Sequence, residues 1–72
     1  SEIAADAKVT YCNGMLYIPA GIEYAVIYDM QGRMVMSTSE TGSMSIENLS
    51  DGVYVVKATD ANGRAQTLKI IK

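Results

Sequence analysis

The sequence predicts an all-β fold, a two-sheet antiparallel sandwich of about seven strands, and three observations carry that prediction. Glycines recur at Gly14, Gly21, Gly32, Gly42, Gly52 and Gly63, seven to eleven residues apart and beside polar, turn-prone neighbours. Glycine supplies the positive φ of tight turns, and Asn-Gly, present at 13–14 and 62–63, is a favoured pair for type I′ hairpin turns. Between the glycines the chain is rich in Val, Ile, Tyr and Thr, residues that suit a pleated, half-buried surface. No segment is long enough for an amphipathic helix, because a glycine interrupts every candidate.

The strands follow in order. Residues 9–12 and 15–18 flank Asn13-Gly14, and Pro19 closes the second strand because proline offers no N–H to a ladder. The third strand, "YAVIY" over 24–28, is apolar on both faces, as expected of a central strand or of one with a face covered by a partner. "IYDMQGRMVM", residues 27–36, runs from that strand through a polar turn into a fourth over 33–38. A fifth is expected over 44–47, a sixth over 53–59 with the doubly apolar "VYVV", and a seventh over 65–71. A single sheet would leave an apolar face in water, so two sheets should cover each other; a small closed barrel is the alternative. Alternation points Leu16, Ile18, Ala25, Ile27, Val35, Met44, Ile46, Tyr54, Val56, Leu68 and Ile70 inward, with Leu49 plugging the end before Gly52. Gly52 is expected at positive φ, and Tyr54 in the core with its hydroxyl bonded at the rim.

Composition bounds the function. The 72 residues allow one domain, expected over residues 9–72, too small to enclose a large substrate cavity. A hydrophobic fraction of 49% with 19% charged residues is that of a globular chain. A net charge of −2 without a basic run argues against nucleic acid, and no apolar run approaches the ~18 residues of a membrane span, so direct membrane insertion is not expected. The lone Cys12 cannot form an internal disulfide. The chain begins with Ser1 and lacks a leader pattern in "SEIAADAKV", so it is expected to be a piece of a longer protein with residues 1–8 as a linker remnant.

Little here could do chemistry. Without histidine there are no imidazole triads, shuttles or zinc ligands. Cys12 has only Lys8 as a weak activating neighbour and reads as a small core or hairpin residue. The carboxylates are dispersed, with Asp29, Asp51 and Asp60 where Asx side chains cap turns. "DANG" lacks the alternating ligands and terminal glutamate of a calcium loop, and no helix follows Gly32-Arg33 to bind phosphate. No enzyme activity, cofactor or metal is expected. Met34 and Met36 share a strand face opposite Val35, and ordinary packing is the favoured reading of them; with Val35 in the core they would instead form an exposed or partner-covered strip. The closing "TLKIIK" alternates Lys69 and Lys72 with apolar residues, either to guard an exposed edge or because the terminal strand is itself used.

The order of these motifs resembles a known family. "VIYDMQGRMV" at 26–35, "MSIENLSDGVYVVKA" at 44–58 and "LKIIK" at 68–72 are together similar to the C-terminal sorting domains (type A) of type IX, or Por, secretion cargo proteins of Bacteroidetes such as Porphyromonas. The resemblance rests on Tyr28, Asp29, Gly32 and Arg33, then Leu49, Gly52 and Tyr54, then Lys69, Ile70, Ile71 and Lys72. It implies an immunoglobulin-like sandwich that directs a secreted parent from the periplasm through the outer-membrane translocon, with shuttle proteins, to the cell surface. A sortase-type cysteine protease would cut in the linker, and Lys69 to Lys72 would be read by the machinery, by strand addition. A weak homodimer is a further expectation. The rival class is an immunoglobulin-like spacer or adhesion module with no export role, which fold alone cannot separate.

Overall fold

Seven strands form: β1 (Thr10–Cys12), β2 (Met15–Ile18), β3 (Ile22–Asp29), β4 (Met34–Thr38), β5 (Gly42–Ser45), β6 (Val53–Asp60) and β7 (Ala65–Ile71). This computed structural model describes residues 8–72, so the expected linker, apart from Lys8, lies outside the described residues. The strand boundaries match those expected from glycine spacing to within two residues, because the glycines do set the turns. Gly14 at φ 80° and Asn13 at φ 51° make the two-residue β1–β2 turn, the conformation that favours Asn-Gly there.

The strands pair as β1-β2-β5 and β4-β3-β6-β7, with every pairing antiparallel. Assigning the seven strands in order to A, B, C, C′, E, F and G gives sheets A-B-E and C′-C-F-G, which is an immunoglobulin-like arrangement. "YAVIY" and "VYVV" lie in β3 and β6, the two central strands of the larger sheet. Their inner residues Ala25, Ile27, Tyr54, Val56 and Ala58 are buried, whereas Val26, Val53 and Val55 on the outer face are only half-buried.

The two sheets enclose a core of Val9, Leu16, Ile18, Ile22, Ala25, Ile27, Ile46, Tyr54, Val56, Ala58 and Ile70, against which Tyr11, Met36, Met44, Leu49 and Leu68 pack. Val35 does not join it. The β3–β4 register pairs Ile27 with Met36 but Tyr28 with Met34, so Val35 is the extra residue of a bulge. One inserted residue reverses the phase: Met36 faces the core beside fully buried Ile27, and Val35 is 38% exposed. The strip of Met34 and Met36 that an inward Val35 would produce is therefore not formed: Met34 and Val35 lie outside and Met36 packs inside.

The bulge interrupts an internal symmetry. The turn "DMQGR" at 29–33 and the turn "DANGR" at 60–64 lie 31 positions apart and are built alike. In the first, Asp29 Oδ1 accepts from the Gln31 and Arg33 N–H groups, both at 2.9 Å, and the Asp29 carbonyl accepts from Gly32 N–H at 3.0 Å. In the second, Asp60 Oδ1 accepts from Asn62 and Arg64, both at 2.9 Å, and the Asp60 carbonyl from Gly63 at 3.0 Å. Moving each partner by this offset turns the pair Ala25–Ala58 into Val56–Ile27, also a pair, and leaves Val26–Lys57 mapped onto itself. The four-stranded sheet is thus two like hairpins related by a pseudo-two-fold axis through Val26 and Lys57, with β4 carrying a bulge that β7 lacks.

Candidate recognition surface

Antiparallel pairing gathers the motif residues, dispersed from 28 to 72, at one end of the larger sheet. Asp29 lies opposite Tyr54, Tyr54 opposite Ile70, and Val53 opposite Ile71. The adjacent row crosses all four strands as Met34, Tyr28, Val55 and Lys69. Tyr28, Asp29, Gly32, Arg33, Gly52, Tyr54 and residues 69–72 therefore form one neighbourhood.

Its first part is the Asp29 turn. Besides its two backbone donors, Asp29 approaches the Arg33 guanidinium at 3.8 Å, and Arg33 Nη2 donates to Gln31 Oε1 at 2.8 Å. The backbone N–H of Arg33, helped by that of Gln31 and by the Arg33 charge, holds the Asp29 carboxyl below the usual carboxylate range. Gly32 at φ 86° occupies the left-handed position that closes the turn.

The second part anchors the final strand. Tyr54 is 8% exposed, and its hydroxyl donates to the Ser50 carbonyl at 2.6 Å. A tyrosine at the start of strand F that bonds back four residues is the tyrosine corner of immunoglobulin-like sandwiches, and here it fixes the path from Leu49 into β6. Gly52 lies at φ 157°, the positive φ expected of it and a backbone conformation that residues with a side chain rarely adopt, and it also pairs with the end of the chain. It exchanges both backbone bonds with Lys72, which donates to the Gly52 carbonyl at 2.8 Å and accepts from Gly52 N–H at 3.3 Å. Lys72 Nζ also reaches Asp51 Oδ1 at 3.5 Å.

The four terminal residues divide by face. Ile70 is core, Lys72 is half-buried beside Asp51, and Lys69 and Ile71 project outward, Ile71 with 70% of its surface exposed. Asp51, expected to cap its turn as Asp29 and Asp60 do, instead pairs with Lys72, and Ser50 was not expected to contribute because its partner Tyr54 lies across the turn into β6. Cys12 is a correction: it is exposed, because Tyr11 takes the inward position opposite Leu16 and leaves Cys12 on the outer face beside Met15. Among the described residues no three His, Cys, Asp or Glu side chains come together as metal ligands.

Taken together, the arrangement offers an anchored terminal strand and a partly apolar sheet end, features suited to recognition by another protein. Neither the curated proteins nor the solved structures provide a match to the chain. The family model described as the secretion system C-terminal sorting domain matches residues 12–72, from the last residue of β1 through β7 to the final lysine. With nearly the whole sandwich matched in the order in which its motifs converge, the chain belongs to the secretion system C-terminal sorting domain family.

Proposed function

We propose that this domain directs its parent protein through the outer-membrane type IX translocon, is read at residues 69–72, and is then cut from the parent within residues 1–8 by a sortase-type cysteine protease as the parent is anchored at the surface. The observation that carries the reading is the position of β7, the last strand of its sheet, which presents Lys69 and Ile71 at the end where the motif residues meet. Transit through the periplasm with shuttle proteins, and the absence of catalysis by the domain itself, belong to the same reading. The sandwich would hold the terminal strand in a fixed register for a receptor, as strand-addition partners require.

The test is a periplasm-directed reporter fused to the domain in a bacterium with a type IX system, with surface and periplasmic reporter measured. Replacing Lys69 and Lys72 by Ala should reduce surface reporter while stability changes little. Lys69 is exposed, and the Lys72 pair is made with an Asp51 side chain that is 90% exposed, so the pair contributes less than about 1 kcal/mol. Removing residues 70–72 should abolish export, but it also removes buried Ile70, worth roughly 1.5–3 kcal/mol, so melting curves must accompany it. Equal surface delivery by the intact and truncated domains would refute the proposal and leave a spacer or adhesion module.

A further inference from the structure

We infer that the outer edge of β7, with which no other strand of the described residues pairs, is a docking groove for an extended acidic segment of a partner protein, added as a fifth strand to the larger sheet. This deepens the sorting reading and rests on it for biological purpose, but the physical case stands on three features of the edge.

The first is backbone. Lys72 N–H bonds to Gly52 and Asp60 N–H to the Arg64 carbonyl, so the even-numbered residues of this strand face β6. In an antiparallel ladder the alternate residues, Ala65, Thr67, Lys69 and Ile71, then aim their N–H and C=O groups away from the sheet. β7 has seven residues, enough to template an added strand of about the same length.

The second is shape. Beneath the first half of this edge lies a groove of about 410 Å³, with Val9, Arg64, Gln66 and Leu68 among its lining. Gln66 Oε1 accepts from Val9 N–H at 2.9 Å, which holds the start of the first hairpin against the seventh strand. Side chains on one face of an added strand would enter this groove beside half-buried Leu68, and those on the other face would lie beside Thr67, Lys69 and Ile71.

The third is charge. The chain carries −2, yet five of its six bases, Lys8, Lys57, Arg64, Lys69 and Lys72, lie on β6, on β7, just past its end or around the groove. The acids of this hairpin are Asp51, which pairs with Lys72, and Asp60, whose Oδ1 is held by Asn62 and Arg64 N–H. A segment with apolar residues toward the groove and carboxylates toward Lys69 and Lys57 complements this edge. A second copy of β7 would bring like charges together and is disfavoured.

The probe is a seven-residue synthetic peptide alternating valine and glutamate, compared with its valine–lysine counterpart, titrated into the full chain and followed by amide NMR. The acidic peptide should bind about tenfold more tightly at low salt, with the ratio shrinking as salt rises, and should perturb and protect the amides of residues 65, 67, 69 and 71. Thr67→Pro removes an edge donor without touching the β6 ladder and should abolish binding. Should that variant fail to fold, Lys69→Glu serves instead, by narrowing or inverting the preference between the peptides. Equal binding of both peptides, perturbation of another surface, or no binding overturns the inference, as does an equal response to dextran sulfate without edge protection, which would mark a general polyanion surface. The reporter assay fails separately: peptide binding without export leaves the groove and removes its sorting role, whereas export without peptide binding means the machinery reads something else.

Discussion

Tyr54 carries two separable contributions, and a pair of substitutions divides them. Its ring is almost fully buried between the sheets, and its hydroxyl satisfies the Ser50 carbonyl. Tyr54→Phe keeps the ring and removes one hydrogen bond, which costs about 0.5–1.5 kcal/mol. Tyr54→Ala removes the ring as well and opens a cavity, at about 3–5 kcal/mol. At 72 residues, a stability of about 0.05–0.15 kcal/mol per residue gives a total of roughly 4–11 kcal/mol. The alanine variant should therefore lose a large share of its stability or unfold, whereas the phenylalanine variant should melt about 4–8 °C below the parent per kcal/mol lost. Thermal and urea unfolding followed by far-ultraviolet circular dichroism, with tyrosine fluorescence as a second probe, measure both. The reasoning fails if Tyr54→Ala melts cooperatively within a few degrees of the parent, or if Tyr54→Phe is as damaging as Tyr54→Ala. The first outcome would place the ring outside the core, and the second would put the whole effect in the corner.

Three further outcomes are expected. Cys12 should react rapidly with a thiol reagent in the native state and, under oxidising conditions, yield a dimer that reductant dissolves; slow labelling would contradict its exposure. Val35→Ser should change stability by no more than about 0.5 kcal/mol while Met36→Ala costs roughly 2 kcal/mol, and the reverse order would mean that the bulge is misplaced. Because the Asp29 pKa is lowered on folding, its contribution is fully present above the ordinary carboxylate pKa near 3.8 and is lost as pH falls through the lower folded value. A carboxyl NMR titration of Asp29 with its midpoint at or above 3.8 would refute this.

The strands and turns were legible because glycine and Asn-Gly act locally and alternation reports which face is buried. Leu16, Ile18, Ala25, Ile27, Ile46, Tyr54, Val56 and Ile70 are buried as their alternation requires. Val35 was misread because a bulge changes the phase without a residue that advertises it: by symmetry with β7, Val35 would occupy the position of inward Gln66. Cys12 was misread because a three-residue strand offers too few alternations to establish its phase. The dispersed motif was visible as residue types, but its convergence at one sheet end depends on the β3–β6 register, a pairing between residues about thirty positions apart that no local pattern encodes.

The pseudo-two-fold sheet also bears on how copies of this domain avoid exchanging parts. Two hairpins with matching registers can in principle replace one another, so that a β3 strand meets the β3 of a neighbour and a β6 strand meets another β6 about the same axis. The residue on that axis is the one that would then face itself. In the native seam it is Val26 against Lys57, an uncharged side chain beside a cation. In the exchanged seam Lys57 would stand directly opposite a second Lys57, and like charges in that position oppose pairing. A single lysine at the centre of the symmetry therefore weighs against the reciprocal swap that the repeated hairpins would otherwise allow.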